Sequence, residues 1–196
     1  KFGVLDSGDY SVFVDALLTP YSGFVRAGAG AGTVCVVLGQ GLRADLTAAV
    51  ADSMGLLVER FTDEESARLD PQSARQVVAE RAAAKGLSLA GAIVVDTVGS
   101  DAARARAVRM AEPAGTVLLF ERAQPLDGSP GLLSAEPQGG SSLCSLSVLE
   151  HVVAMQAQLV AAVPHPDLLP ELLSLCARTH VDFIQLVREV SPTEID

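Results

Sequence analysis

The stretch that decides the fold is VCVVLGQGLRADLTAAVADSMG, residues 34–55. It opens with a continuous β-branched and apolar run, which is typical of a strand buried on both faces of a parallel sheet. A glycine turn follows, and after it comes a segment of helical composition that ends at Gly55. A strand, a glycine turn and a helix in this order predict an anion site, because a helix N-terminus presents free N–H groups and partial positive charge.

The turn reads G-Q-G-L-R-A over residues 39–44. Gly39 can take backbone dihedrals that other residues avoid. Gly41 lets the backbone come close to a pyrophosphate, and Ala44 lets the helix pack closely on the strand. Because the motif lies between a predicted strand and a predicted helix, it is stronger evidence for nucleotide binding than the glycines alone. We therefore predict a nucleotide-binding origin for the turn, and its present occupancy is an open question at this point.

Asp45 follows the turn directly and lies in the first turn of the helix. Its carboxylate would repel a bound pyrophosphate by about 2 kcal/mol, at ~8 Å and an effective dielectric of ~20. Arg43 would cancel this charge if its side chain turned toward the phosphates. In the alternative interpretation, both are solvated surface charges beside an empty turn.

An acid that bonds the adenosine ribose is expected about 20 residues after the turn, at the end of the second strand. Glu59 and Asp63 are the two candidates, and either would favour NAD over NADP. Arg60 could instead accept a 2′-phosphate, which would favour NADP. The sequence leaves these alternatives open.

The pattern continues as an alternation of strands and helices. Strands are predicted over 33–39, 56–61, 90–99 and 115–121, and later over 143–148 and 181–190. Helices are predicted from Thr62, where Glu65 completes a capping box, and over 71–86, 100–113, 150–162 and 165–179. This order predicts an α/β fold, a Rossmann-like doubly wound parallel sheet with helices on both faces. Three parts are expected: an N-terminal segment with a lead-in helix (1–32), the nucleotide-binding domain (33–180), and a return strand with the start of a final helix (181–196).

Composition limits the partners. The 196 residues are 49% hydrophobic with a net charge of −10, which opposes binding to nucleic acid. No apolar run reaches the length of a membrane span. Cys35, Cys144 and Cys176 are widely spaced among apolar neighbours, which favours reduced thiols in the cytoplasm or mitochondrial matrix rather than secretion. The apolar excess leaves room for a protein partner or a homo-oligomer.

Several stretches together resemble the cofactor domain of the medium-chain dehydrogenase/reductase superfamily, the zinc alcohol dehydrogenase and quinone reductase type. They are ALLTPYSGFVRAGAGAGTVCVVLGQGLRADLTAAVADSMG (16–55), GAIVVDTVGS (91–100), MAEPAGTVLLF (110–120) and DLLPELLSLCARTHVDFIQLVREVSPTEID (167–196). The resemblance implies NAD or NADP as cofactor, without a metal in this domain. It implies that Gly39, Gly41 and Arg43 lie by the pyrophosphate, Asp63 or Glu59 by the ribose, and Thr97, Val98 and Gly99 on the nicotinamide side. It also implies that Phe120 and Glu121 end the next strand, where the charge of Glu121 departs from the family pattern.

The family places its catalytic residues and zinc ligands mainly in an N-terminal barrel, for which this sequence offers no counterpart. The cysteines and histidines have no zinc-ligand spacing, and no catalytic residue is identified. The first hypothesis is therefore an NAD(P)(H)-binding domain without its catalytic barrel in this chain. The second is a non-catalytic pseudoenzyme that serves as an accessory subunit of a larger assembly, such as a mitochondrial one. The third is another nucleotide binder on the same sheet.

Overall fold

The computed structural model describes residues 16–68, 70–120 and 146–179. The strands are β1 Val34–Leu38, β2 Leu57–Phe61, β3 Ile93–Asp96, β4 Thr116–Phe120 and β5 Gln158–Ala162. The helices are α1 Leu18–Arg26, α2 Leu42–Ser53, α3 Asp63–Arg68, α4 Pro71–Ala84, α5 Asp101–Met110, α6 Leu146–Met155 and α7 Leu169–Thr179, with a 3₁₀ turn at Pro166–Leu168.

The five strands of the described segments are all parallel and lie in the order β2-β1-β3-β4-β5. Leu38 at the end of β1 is in register with Phe61 of β2 and Asp96 of β3, so these strands end at one edge of the sheet. The chain leaves β1 toward β2 and then crosses back to β3. The gap between the ends of β1 and β3 is therefore the topological switch point, where ligands bind in sheets of this kind.

The sheet is covered on both faces. Alternate strand residues, among them Val37, Val95 and Leu118, pack with α1, α2 and α7 on one face. Their neighbours, including Val36 and Val94, pack with α4 and α5 on the other. Burial on both faces explains why the strands read as continuous apolar runs. The predicted α/β, doubly wound parallel sheet is confirmed.

Two predicted helix starts have the expected caps. At α3, the Thr62 amide donates to Glu65 Oε2 at 2.8 Å, and the Glu65 amide donates to Thr62 Oγ1 at 3.2 Å. At α5, Ser100 Oγ accepts from the amide of Ala103 at 3.2 Å. The capping box and the N-cap serine therefore begin these helices as predicted.

Three predicted boundaries are wrong. The helix expected over 150–162 ends at Met155, because Gln156 adopts a φ of 51°, and the rest of that segment is β5. From residue 146 on, the strand expected over 143–148 is helical. The strand expected over 90–99 ends at Asp96, whose side chain accepts from the next two free amides and turns the chain.

Glu121, residues 122–145 and the strand and start of a final helix predicted over 181–196 lie outside the described residues. The division of the chain at residues 32 and 180 stays a prediction. Within the described segments, no helix is long and apolar enough to cross a bilayer.

Candidate functional site

The glycine turn has the backbone geometry that its sequence predicts. Gly39 has a φ of 128° and Gly41 a φ of 81°, both in the region that favours glycine. Gly41 is the N-cap of α2 and contributes no side chain to cap the first turn of the helix. Ala44 is fully buried, so the third small residue of the motif lies at the contact between α2 and the sheet.

The two glycines meet different surroundings. A Cβ added at Gly39 would lie 2.2 Å from Thr97 Oγ1, so glycine is needed there for the close approach of the loop after β3. A Cβ added at Gly41 would meet nothing within 4 Å. The backbone of Gly41 therefore faces open space at the start of α2, as a backbone that approaches a pyrophosphate must.

The loop after β3 is fixed to the end of β1. Both the amide and the hydroxyl of Thr97 donate to the carbonyl of Leu38, at 3.1 and 2.8 Å. Thr97 is buried, and Val98 Cγ2 would lie 3.2 Å from a Cβ at Gly39. The structure thus brings Thr97 and Val98, with Gly99 directly after them, to the glycine turn across the switch point.

Asp96 holds this loop and was not predicted as a site residue. Its Oδ1 accepts from the amides of Val98 and Gly99 at 3.0 and 3.1 Å. The side chain is 0% exposed, and burial raises the pKa of the carboxyl. Within the described segments Oδ2 has no hydrogen-bond partner, and it lies 3.9 Å from Nε of Arg104. The Asp-x-x-Gly spacing after the strand was the available signal for Asp96.

Arg104 connects the ends of two strands, since its Nη2 donates to the carbonyl of Phe120 at 3.3 Å while its Nε faces Asp96. No sequence pattern identifies this residue, which lies inside α5 among other arginines. Its role as a link between β3 and β4 emerges only from the packing of α5 on the sheet.

Asp45 is paired with Arg60. The carboxylate and the guanidinium approach to 2.5 Å, with side chains 45% and 44% exposed. The charge that would repel a pyrophosphate is therefore offset by an arginine near the end of β2. The same ion pair engages Arg60, the residue that could accept a 2′-phosphate.

The two candidate ribose acids lie in different places. Glu59 is buried within β2 and paired with Arg81 of α4, two residues before the strand ends. Asp63 is the first residue of α3, directly after the end of β2. Chain position therefore favours Asp63 as the acid at the carboxyl end of the strand.

Arg43 turns toward the other end of the site. Its Cζ lies 5.8 Å from the centroid of the Phe120 ring, within the range of a cation–π contact. Both residues line a cavity of about 620 Å³ at the carboxyl ends of β4 and β5, which also contacts Thr19, Leu46 and Val163.

Nothing in the described segments forms a metal centre, since no group of three or more histidine, cysteine or acidic residues could hold an ion there. Burial raises the pKa of the Cys35 thiol far above its usual range and that of Cys176 to about 11. Both thiols therefore stay protonated at neutral pH and are poor nucleophiles or metal ligands.

No protein-family model and no curated protein matches the sequence. Solved structures do match. An alcohol dehydrogenase from Thermotoga maritima is 15% identical with a TM-score of 0.61, over 98% of this chain and 52% of that one. Benzyl alcohol dehydrogenase from Acinetobacter calcoaceticus is 12% identical with a TM-score of 0.58, over 87% and 46%. Acetophenone reductase from Geotrichum candidum, solved in complex with NAD, is 17% identical with a TM-score of 0.51, over 85% and 44%.

The fold is that of one part of an alcohol dehydrogenase. The chain spans about half the length of these structures. The resemblance stated from the sequence is thereby confirmed as a likeness of fold. Because one fold hosts many activities, function must be inferred from the site itself.

Proposed function

We propose that this chain binds a nicotinamide dinucleotide at the switch point between β1 and β3, as the cofactor-binding part of a dehydrogenase or reductase. The observation that carries the proposal is Gly41, which caps α2 at a φ of 81° with open space above its Cα. A pyrophosphate there would meet the first-turn amides and the positive end of the helix dipole.

The Asp45–Arg60 pair makes this position more favourable than the sequence suggested. A carboxylate with a guanidinium at 2.5 Å presents little net charge to a phosphate nearby. Because both side chains are almost half exposed, solvent screens the remaining repulsion to below about 1 kcal/mol.

The preferred cofactor is NAD(H). Asp63, the first residue of α3 after β2, would bond both hydroxyls of an adenosine ribose, and its charge would oppose a 2′-phosphate. Arg60 would have to leave Asp45 before it could accept that phosphate. Thr97, Val98 and Gly99, fixed beside the turn, would line the opposite nucleoside.

The alternative is an accessory subunit that has lost its cofactor. It is favoured by Asp45 in the first turn of α2 and by Arg43, whose guanidinium lies over Phe120 at the far end of the site. This alternative predicts that neither dinucleotide binds.

Calorimetric titration of the chain with NADH and NADPH distinguishes the cofactor-binding proposal from the accessory-subunit alternative. We expect a Kd below about 100 μM for NADH and a value at least about tenfold higher for NADPH. Gly41→Val, which places a branched side chain over the turn, is the negative control. Absence of binding for both nucleotides would exclude the cofactor proposal and leave the accessory role.

A further inference from the structure

Asp96 and Arg104 form an ion pair behind the loop of residues 97–99, which would line one nucleoside of the proposed cofactor. The Asp96 side chain is 0% exposed and that of Arg104 is 21% exposed, with Arg104 Nε 3.9 Å from Asp96 Oδ2. Within the described segments neither of these two atoms has a hydrogen-bond partner. The attraction between the two charges therefore helps to offset the cost of burying them.

Asp96 fixes the loop through its other carboxyl oxygen. The amides of Val98 and Gly99 donate to Asp96 Oδ1 at 3.0 and 3.1 Å. The amide of Thr97 donates to the carbonyl of Leu38 at the end of β1. An ionised carboxylate accepts hydrogen bonds more strongly than a neutral carboxylic acid does. The position of the loop therefore depends on the charge of Asp96.

Arg104 connects this carboxylate to the next strand. Its Nη2 donates to the carbonyl of Phe120, the last residue of β4, at 3.3 Å. A planar guanidinium presents its donors in a fixed arrangement, so one side chain can face the ends of both β3 and β4. Phe120 also lines the cavity beside the glycine turn. Arg104 thereby joins the loop after β3 to the wall of that cavity.

The charged groups that act on Asp96 come from α5. Burial raises the pKa of Asp96, and the two loop amides, Arg104 and Arg106 oppose that rise. The neighbouring strands β1 and β4 carry no charged side chain. A pyrophosphate at the first turn of α2 would bring negative charge to the same edge of the sheet, because Leu38 and Asp96 are in register. Such charge favours proton uptake by a carboxylate unless a cation opposes it.

We propose that Arg104 is a positioning residue of the dinucleotide site, which holds Asp96 as a carboxylate and so keeps residues 97–99 in place when an anionic cofactor binds. The inference rests on the proposed function and specifies which residue makes binding at that site insensitive to pH. Arg104 acts through Asp96 and does not touch the cofactor. Without Arg104, Asp96 takes up a proton as the dinucleotide binds, so affinity falls as the pH rises.

The test measures the Kd of NADH by calorimetry at about pH 6.5 and about pH 8.5, on either side of neutrality. The proteins are the unaltered chain, Arg104→Gln, Arg104→Lys, Arg109→Gln and the double variant Asp96→Asn with Arg104→Gln. Lysine keeps the positive charge, and the double variant lacks the titrating carboxyl. Arg109 is an exposed arginine in the last turn of α5, so it controls for loss of one positive charge. Thermal unfolding establishes that each variant is folded.

We expect the Kd of the unaltered chain, Arg104→Lys and Arg109→Gln to change by less than about twofold between the two pH values. In Arg104→Gln the Kd should be about tenfold above that of the unaltered chain at the higher pH and within about threefold of it at the lower. The double variant should lose this pH dependence. A second measurement needs no ligand: the amide chemical shifts of Val98 and Gly99 should titrate at a higher pH in Arg104→Gln than in the unaltered chain.

A loss of affinity in Arg104→Gln that is equal at both pH values, or no loss at either, would overturn the role of Arg104 while leaving cofactor binding intact. The same conclusion would follow from a pH-dependent affinity in Arg104→Lys, or from amide titrations that Arg104→Gln leaves unchanged. If the unaltered chain binds no NADH at either pH, the proposed function is wrong, and the role of Arg104 in binding is overturned with it.

Discussion

Gly41 and Gly91 form a matched pair that separates backbone strain from ligand contact. Their φ values are 81° and 75°, both are exposed, and a Cβ added at either meets nothing within 4 Å. Gly41 lies at the carboxyl edge of the sheet and Gly91 just before β3 at the amino edge. Alanine at either position must adopt a left-handed conformation at a cost of about 1–2 kcal/mol, partly offset by the lower entropy of the unfolded chain.

The two alanine variants should therefore lose similar stability, with melting temperatures lowered by about 2–4 °C for a domain of this size. They should differ in binding. The new methyl group at Gly41 lies over the surface where the pyrophosphate approaches, which displaces it from the first-turn amides of α2. Loss of one charge-assisted hydrogen bond costs about 2 kcal/mol, or roughly thirtyfold in Kd.

Urea or thermal unfolding measures the stability of each variant, and calorimetry measures its affinity for NADH. Gly91→Ala should bind NADH as the unaltered chain does. If Gly41→Ala keeps full affinity while losing the same stability as Gly91→Ala, the open space above Gly41 is not where the pyrophosphate binds, and the reasoning is refuted.

Substitutions at Gly39, Asp96 and Asp45 test the surroundings of the turn. Gly39→Ala should destabilise the fold by more than about 2 kcal/mol, because its Cβ would lie 2.2 Å from Thr97 Oγ1. In a double-mutant cycle, adding Thr97→Ala should recover part of that stability. Strictly additive stability losses would contradict the clash. Asp96→Ala should cost about 2–3 kcal/mol in urea unfolding, since two amides lose their acceptor. Burial raises the pKa of Asp96 in the folded state above the ordinary value of 3.8. The contribution of Asp96 to folding stability is therefore greatest at low pH and is lost as the pH rises through the folded pKa. Asp96→Asn should therefore gain stability relative to the unaltered chain as pH rises from acid to neutral, and parallel pH profiles would contradict this. Asp45→Asn releases Arg60, so calorimetry should show that the binding of NADPH tightens more than the binding of NADH, by up to about 1 kcal/mol. Equal changes in the two affinities would show that Arg60 does not contact the 2′-phosphate.

The glycine turn was predictable because residues that are adjacent in the sequence determine its conformation. A buried strand, two glycines and a small residue before a helix leave few backbone solutions, and both glycines adopt the positive φ that this requires. The same holds for the Thr62–Glu65 capping box, whose partners are three residues apart. Local rules failed at the end of α6, where Gln156, a non-glycine residue with a φ of 51°, ends the helix without a sequence signal.

The pairing of charges was not predictable, because it depends on which strands become neighbours. Arg60 reaches Asp45 from β2, and Arg81 reaches Glu59 from α4, over 15 and 22 residues of sequence. These contacts change the interpretation of the site, since one offsets a charge near the proposed pyrophosphate position and the other holds a candidate ribose acid within the strand.

Amide chemical shifts of the isotope-labelled chain during a titration with NADH test the central claim most directly. Binding at the switch point should shift the amides of residues 39–44 and 97–99, which share the carboxyl edge of β1 and β3. The amides near Gly86 and Gly91, at the opposite edge, should stay in place. Absence of any shift at millimolar NADH, or shifts confined to residues away from the glycine turn, would contradict the account.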